Sequence, residues 1–545
     1  MIFNNKNDLT VLEELIGEQN DFFYEKYKNF HKTNFKNISD EVISIFIEQL
    51  NKNHKSNLSK KSWIIIIGPW FYSFFNIYFY YNYCFSKKNL INKKIAKIIL
   101  NINFKKNSFT PLNFSEYVQS VNSRKYLIRF IYTMLSSNFS DLSINIIRLK
   151  KNNFIKNLFL KFFTITSNLK VILSRPRFNK IDQLKIYIYS GFKILCIPAF
   201  DQIFNVISLK NTKNTRKLII KNLDKKLKHY NIIKILFYFV PTAYLENFRE
   251  YENAGKKILP ESQIIYSDTT YISDEVFKIQ LAKSKSKKYI GQHGGNFRVY
   301  GKNQINVHEN DIADKYIVWG KTFKKQEAKL SSPKINLFYR KYKSINKKKK
   351  QKQYDFCYIL PPLKSSNFNY LFHKSSNELS EVKKRSDFFN SIEKNFIIKT
   401  YAEEKRYLDQ IPHNKHSKLF QLNKKKFSNS NNVLFDSNLL VFDYLSTMIF
   451  EIINLNIPFI LILDVKKHNF TDYGKKLINY FTEMNILFKN HNQAALFINL
   501  NKDKDIISCW SSYKNKSILK RISLEYCSVD NNCLDKWIKF FNKII

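Results

Sequence analysis

A chain of 545 residues is too long for one hydrophobic core and predicts two or three domains, and 44% apolar with 16% aromatic residues supplies enough apolar surface to fold them. A formal net charge of +47 points first to nucleic acid or an anionic membrane. The excess is Lys more than Arg, however, and it comes with abundant Asn, Ile, Phe and Tyr, as an AT-rich gene would encode. No zinc-finger, RRM or KH signature accompanies it, so no specific nucleic-acid partner is expected. Six scattered cysteines without a CxxC pair argue against a disulfide framework or zinc site and fit a reducing cytoplasm.

In chain order, the amino terminus MIFNNKNDLTVLEELIGEQN lacks the charged-then-apolar pattern of a secretory signal. The first 60 residues have helical spacing, with Leu9, Leu12, Leu15 and Ile16 on one face and Val42, Ile43, Ile45, Phe46 and Leu50 on another. Residues 63–85, WIIIIGPWFYSFFNIYFYYNYCF, are long enough to span a bilayer, but Gly68-Pro69, two Asn and five Tyr disfavour that. The run predicts a buried strand over 63–67, a turn, and an aromatic helix. Residues 86–168 read mostly as helices with basic, Asn-rich connections. After Leu184 short apolar runs at 186–189, 192–197, 232–239, 263–266 and 289–291 alternate with helical stretches such as 275–285. That alternation predicts a parallel α/β sheet, whose ligands bind beyond the carboxyl ends of the strands.

Residues 331–353 lose their apolar periodicity and end in a lysine run, which predicts an interdomain linker over 336–353. A second α/β unit over 354–505 opens with a strand at 354–360 that Pro361-Pro362 halts. Strands follow at 396–399, 439–443 and 459–463. The tail, 506–545, reads as amphipathic helices anchored by Trp510, Trp537, Phe540 and Phe541.

Two stretches carry candidate chemistry. Residues 287–321 hold five of the ten glycines, Gly291, Gly294, Gly295, Gly301 and Gly320. A strand here ends in Gln292-His293-Gly294-Gly295, and glycine is used where backbone must come close to something else. The stretch is therefore either a site or a hydrogen-bonded turn. Residues 438–464, NLLVFDYLSTMIFEIINLNIPFILILD, form a strand-turn-helix-strand unit with Asp443 at the strand end and Ser446-Thr447 as cap. A helix start suits a phosphate. Glu451 lies four residues after Thr447 on the same face, within reach of ribose hydroxyls, although an ordinary capped helix would carry the same residues. His308 and Glu309 follow His293 at a distance that permits a carboxylate-histidine pair; with Asp311 and Asp314 they are read as structural support. There is no GxSxG, Walker loop or GxGxxG.

Three motifs in order, SWIIIIGPW at 62–70, GQHGG at 291–295 followed by an acidic stretch and a strand ending in Trp319-Gly320, and DYLST at 443–447 with Glu451 and Asn456-Ile-Pro458, carry a resemblance. The chain resembles a group of transferases encoded in bacterial O-antigen and surface-polysaccharide loci. One departure is that Asn296-Phe297-Arg298 stands where that family continues with another Gly before Tyr300-Gly301. The family in turn looks like the GT-B architecture, two Rossmann-like domains facing a cleft. It is distantly similar to CDP-glycerol glycerophosphotransferases and capsule sugar transferases. The resemblance implies an α/β fold with a helical amino-terminal region plus an acceptor-side domain over 1–335, a nucleotide-donor domain over 354–505, and carboxy-terminal helices. It implies His293 as general base, with Gln292, Gly294 and Gly295 shaping the acceptor-side loop. Asp443, Ser446, Thr447 and Glu451 would hold a nucleotide sugar, with no metal and no separate cofactor. The implied partners are a polysaccharide or lipid-linked acceptor and the anionic inner face of the membrane, with a cytoplasmic or peripheral location. Transfer of a polyol phosphate, a non-catalytic scaffold and a basic nucleic-acid binder are the open alternatives.

Overall fold

A computed structural model describes residues 21–86, 110–121, 124–136, 145–151, 169–200, 204–210, 215–256, 259–301, 304–347, 352–360, 378–399, 417–420, 432–501, 508 and 510–545. Its short apolar runs gather into two six-stranded parallel sheets. Strands buried on both faces must be apolar throughout rather than alternating. Val171–Ser174, Ile264–Ser267, Phe396–Lys399 and Phe459–Ile462 are accordingly buried at every position.

The first sheet runs Ile194–Ile197, Val171–Ser174, Ile264–Ser267, Lys287–Gly291, Lys315–Val318, Glu327–Lys329, all parallel. Its order reverses between Val171–Ser174 and Ile264–Ser267. The second runs Ser417–Phe420, Phe396–Lys399, Tyr354–Ile359, Ser437–Phe442, Phe459–Ile462, Leu487–Phe488, also parallel, and reverses between Tyr354–Ile359 and Ser437–Phe442. Doubly wound sheets of this kind open a crevice at the reversal, beyond the carboxyl ends of the strands. The fold is thus α/β with two Rossmann-like sheets, a helical amino-terminal region and carboxy-terminal helices. Asn145–Lys151 and Phe204–Lys210 add a separate antiparallel pair.

Several elements differ from the sequence expectation. The strand and turn expected at 63–69 do not form, and Lys60–Ser86 is one helix with Pro69 inside it. Its β-branched run gives no strand because the helix is packed by Asp21–His54, Glu275–Lys283 and Gln304–Ile312, and tertiary burial overrides propensity. The helix is long and apolar enough to cross a membrane, yet 89% of its apolar window is buried inside the protein. Gly68 is a packing notch: a Cβ there would lie 2.3 Å from the His308 ring. Residues 232–239, read as a strand, belong to the helix Tyr230–Phe239, and 186–189 close the helix Lys180–Tyr189. A run that is apolar on all sides has no period to distinguish the two.

Within the expected linker, Pro333–Lys347 is a helix that buries Ile335, Phe338 and Tyr342. The two tail helices go to different cores. Tyr513–Tyr526 packs on the second sheet through Ile518, Leu519 and Ile522. Cys533–Asn542 returns to the first, where Trp537 and Phe541 meet Phe178, Tyr266 and Tyr289. The expectations for Leu9, Leu12, Leu15, Ile16, Pro361-Pro362 and most of 86–168 lie outside the described residues.

Candidate active site

The strand Lys287–Gly291 ends at the carboxyl edge of the first sheet and delivers Gln292 and His293 there. Gln292 is tied down at both ends of its amide: Trp319 N–H donates to Oε1 at 3.2 Å, and Nε2 donates to the Gly294 carbonyl at 3.0 Å. Its backbone N–H donates to the Ile317 carbonyl at 2.8 Å. The loop therefore leaves the sheet in one fixed path.

His293 follows. Its Nδ1 lies 3.2 Å from Glu309 Oε1. Glu309 is fully buried, and two phenols hold it in place: Tyr271 donates to Oε1 at 2.5 Å and Tyr316 to Oε2 at 2.7 Å. Burial first, and the carboxylate second, push both tyrosine pKa values far up, so the phenols stay protonated donors. His308, one residue before Glu309, takes a different place. It is buried against the aromatic helix with Nε2 2.9 Å from the Ile64 carbonyl, and burial lowers its pKa to about 3. Glu309 is thus the carboxylate set behind the His293 ring, while His308 is structural. Asp311 and Asp314 are structural as well, bonded to Tyr72 and Lys61.

A cleft opens beside His293. Pro176, Arg177, Tyr266, Asp268, Trp319 and Lys334 are among its lining residues. It sits at the strand-order reversal, since Arg177 follows Val171–Ser174 and Asp268 follows Ile264–Ser267. Arg177 donates to Asp268 Oδ2 at 3.1 Å and to Thr269 Oγ1 at 2.9 Å. Arg175 and Arg177 both have left-handed backbones, with φ of 50° and 64°, which costs about 1 kcal/mol or more for such side chains. Sequence reasoning missed Arg177, Asp268 and Lys334. The same rule that found His293, a polar residue just past a short apolar strand, reaches Asp268 behind the run at 263–266, and Arg177 once Val171–Ser174 is recognised.

The second predicted stretch meets the first directly. Ser446 caps the helix Thr447–Ile453 by accepting from Met448 N–H at 3.1 Å. Gly295 N–H donates to Thr447 Oγ1 at 3.3 Å. A Cβ on Gly295 would lie 2.0 Å from the Phe450 ring, so the missing side chain is what lets the loop reach that helix. Gly294 serves through its carbonyl, which holds Gln292. Lys334 Nζ, in the cleft wall, lies 2.6 Å from Glu451 Oε1 and joins the two halves again. Asp443 is turned inward, paired with Arg385 and 3.9 Å from His491 Nε2. Lys399, at the carboxyl end of its strand, is buried, which lowers its pKa; the neighbouring Cys357 and Glu451 oppose that shift.

Residues 5–541 match the sequence profile of the LIC12162 family of transferases. The chain belongs to that family. The LIC12162-family chain has no match among curated proteins. Among solved structures it is similar to the wall teichoic acid polymerase TagF, at 12% identity over 77% of this chain and 95% of that one, with a TM-score of 0.33. It is also similar to MurG of Acinetobacter baumannii, at 8% identity over 69% and 99% with a TM-score of 0.33. The spinosyn rhamnosyltransferase SpnG is similar at 10% identity over 68% and 100%, with a TM-score of 0.34. For this member of the LIC12162 family, the two doubly wound sheets are read from its own strand order.

Proposed function

We propose that this transferase moves a sugar from a nucleotide-activated donor to a hydroxyl of a surface-polysaccharide acceptor, of the O-antigen or capsule kind, with His293 as general base. The observation that carries the reading is the His293–Glu309 pair in a cleft at one sheet's reversal, linked through Gly295 and Thr447 to the capped helix at the other sheet's reversal. A proton acceptor and a phosphate-suited helix start thereby belong to one constellation.

In the proposed step the acceptor oxygen bonds to the anomeric carbon and its proton passes to His293 Nε2. The carbon–oxygen bond to the nucleotide phosphate breaks, and the nucleotide leaves with the bonding pair. Glu309 faces Nδ1 and stabilises the imidazolium that results. Charge grows on the leaving phosphate, where the helix start at Ser446-Thr447, Lys334 and Lys399 offer positive potential. Glu451 is the acceptor for ribose hydroxyls, and Lys334 is the group that a donor phosphate draws away from it. Asp443 serves indirectly, by holding Arg385 behind the donor strand. An acceptor carried on a lipid fits a protein with this much positive charge.

A binding screen over CMP-, CDP-, UDP- and GDP-activated donors identifies the nucleotide without an acceptor, and CDP-glycerol in the same screen tests polyol-phosphate transfer. His293→Ala is expected to abolish transfer while donor affinity stays nearly unchanged. Transfer that survives within about tenfold, less than the loss of a general base usually costs, removes His293 from the role.

A further inference from the structure

The helix Lys180–Tyr189 wears its apolar side outward. Ile181, Leu184 and Ile188, spaced three and four apart and so on one face, are 68%, 51% and 49% exposed. Tyr189 and Phe192 continue the patch and are also exposed. Side chains on the other face of the helix, Ile186 and Tyr187, are buried. A helix packed on a sheet normally exposes its polar side, and this one exposes a contiguous apolar row.

Two further observations say what covers it. Charge is the first: residues 169–193 contain six basic residues and one acid. The acid, Asp182, is buried and bonded to Arg340, while Lys180, Lys185 and Lys193 stand exposed around the apolar row. On the helix, Lys180 and Lys185 flank the row on its two sides. The second is backbone. Gly191 and Phe192 both lie in the left-handed region, at φ of 62° and 64°. That is an unfavourable conformation for a phenylalanine; the turn sets the Phe192 ring edge-on against Tyr187, 5.0 Å between centroids, and leaves its outer half exposed beside the apolar row.

We infer that the outer face of residues 180–193 docks on an anionic lipid bilayer, with Ile181, Leu184, Ile188 and Phe192 entering the headgroup boundary and Lys180, Lys185 and Lys193 meeting acidic headgroups. Apolar insertion ringed by lysine is the chemistry of an interfacial helix. A soluble acidic protein would satisfy the lysines but not the apolar row, and a second copy would set lysine against lysine. The helix starts just past the cleft wall, since Asn179, which caps it, lies two residues beyond Arg177. The inference stands apart from the proposed reaction and needs no substrate.

Its test is co-sedimentation of the full chain with vesicles of phosphatidylcholine mixed with phosphatidylglycerol, and of phosphatidylcholine alone, at physiological salt, where bare surface charge is screened beyond about 8 Å. The triple variant Ile181→Ser, Leu184→Ser, Ile188→Ser keeps every charge and is expected to bind the mixed vesicles at least about tenfold more weakly. Phe192→Gly suits the left-handed backbone, keeps the fold, and is expected to weaken binding several-fold. Lys180→Gln with Lys185→Gln lowers binding to the mixed vesicles and reduces its salt dependence. Binding of the triple variant within about twofold of the parent overturns the inference, since general electrostatics then suffices. A parent that is dimeric, binds neither vesicle and becomes monomeric in the triple variant also overturns it in favour of a second copy. Both readouts are independent of transfer, so loss of the enzymatic reading leaves them intact.

Discussion

Glu309→Gln separates the charge of the carboxylate from its shape. In the native site Oε1 accepts from Tyr271 and faces His293 Nδ1, while Oε2 accepts from Tyr316. An amide with its oxygen at the Oε1 position keeps the first two contacts, and its NH2 donates to the Tyr316 hydroxyl, which rotates to accept. His293 keeps its orientation and loses only the neighbouring negative charge. Contacts to a charged partner contribute about 1.5–3 kcal/mol, which at about 1.4 kcal/mol per decade is roughly ten- to 150-fold in rate. The expected result is a fall in kcat of that size, with unchanged donor affinity and an unchanged melting temperature. Initial rates with saturating donor, a donor titration and a thermal melt read all of this. A kcat within about threefold of the parent, well short of that range, refutes a proton-transfer role for the pair.

The remaining predictions concern the junction and the core. Gly295→Ala places a methyl against the Phe450 ring; overpacking of this kind costs about 1–3 kcal/mol in urea unfolding. Phe450→Leu in the same chain is expected to recover part of the loss, and additive losses would disprove direct contact. His308 is held neutral in the fold, its pKa lowered from 6.5 to about 3, first by burial and also by Lys278. The unfolded chain takes up this proton near pH 6.5 and the folded one does not, so its contribution to stability is present above that pH and is lost as pH falls towards 3. Between those values unfolding stability should fall by about 1.4 kcal/mol per pH unit from this residue. His308→Gln, which can still donate to the Ile64 carbonyl, is expected to flatten that slope in urea titrations at pH 7 and pH 5; an unchanged slope contradicts the assignment.

Much of the plan was legible in the residues because parallel strands buried on both faces are short apolar runs with polar residues just past their ends. That pattern exposed Lys287–Gly291 with His293, and Ser437–Phe442 with Ser446 as a working cap. It failed where burial on every side erased periodicity, in Lys60–Ser86 and Tyr230–Phe239. It missed Val171–Ser174 as well, and Arg177 was lost with it. The return of Cys533–Asn542 to the first sheet has no local signal at all.

By itself, then, the sequence determined the α/β class, the glycine-rich loop bearing His293 and the capped helix at Ser446-Thr447, because strand ends, glycines and caps are local chemistry. Only the tertiary structure decided that the loop and the helix touch through Gly295, that Glu309 rather than His308 stands behind His293, and that Asp443 turns inward to Arg385. Those outcomes depend on which strands lie side by side and which face of the helix Gln304–Ile312 meets Tyr271 and Tyr316. Contacts between residues far apart in the chain are set by the packing of whole elements, and no local spacing encodes them.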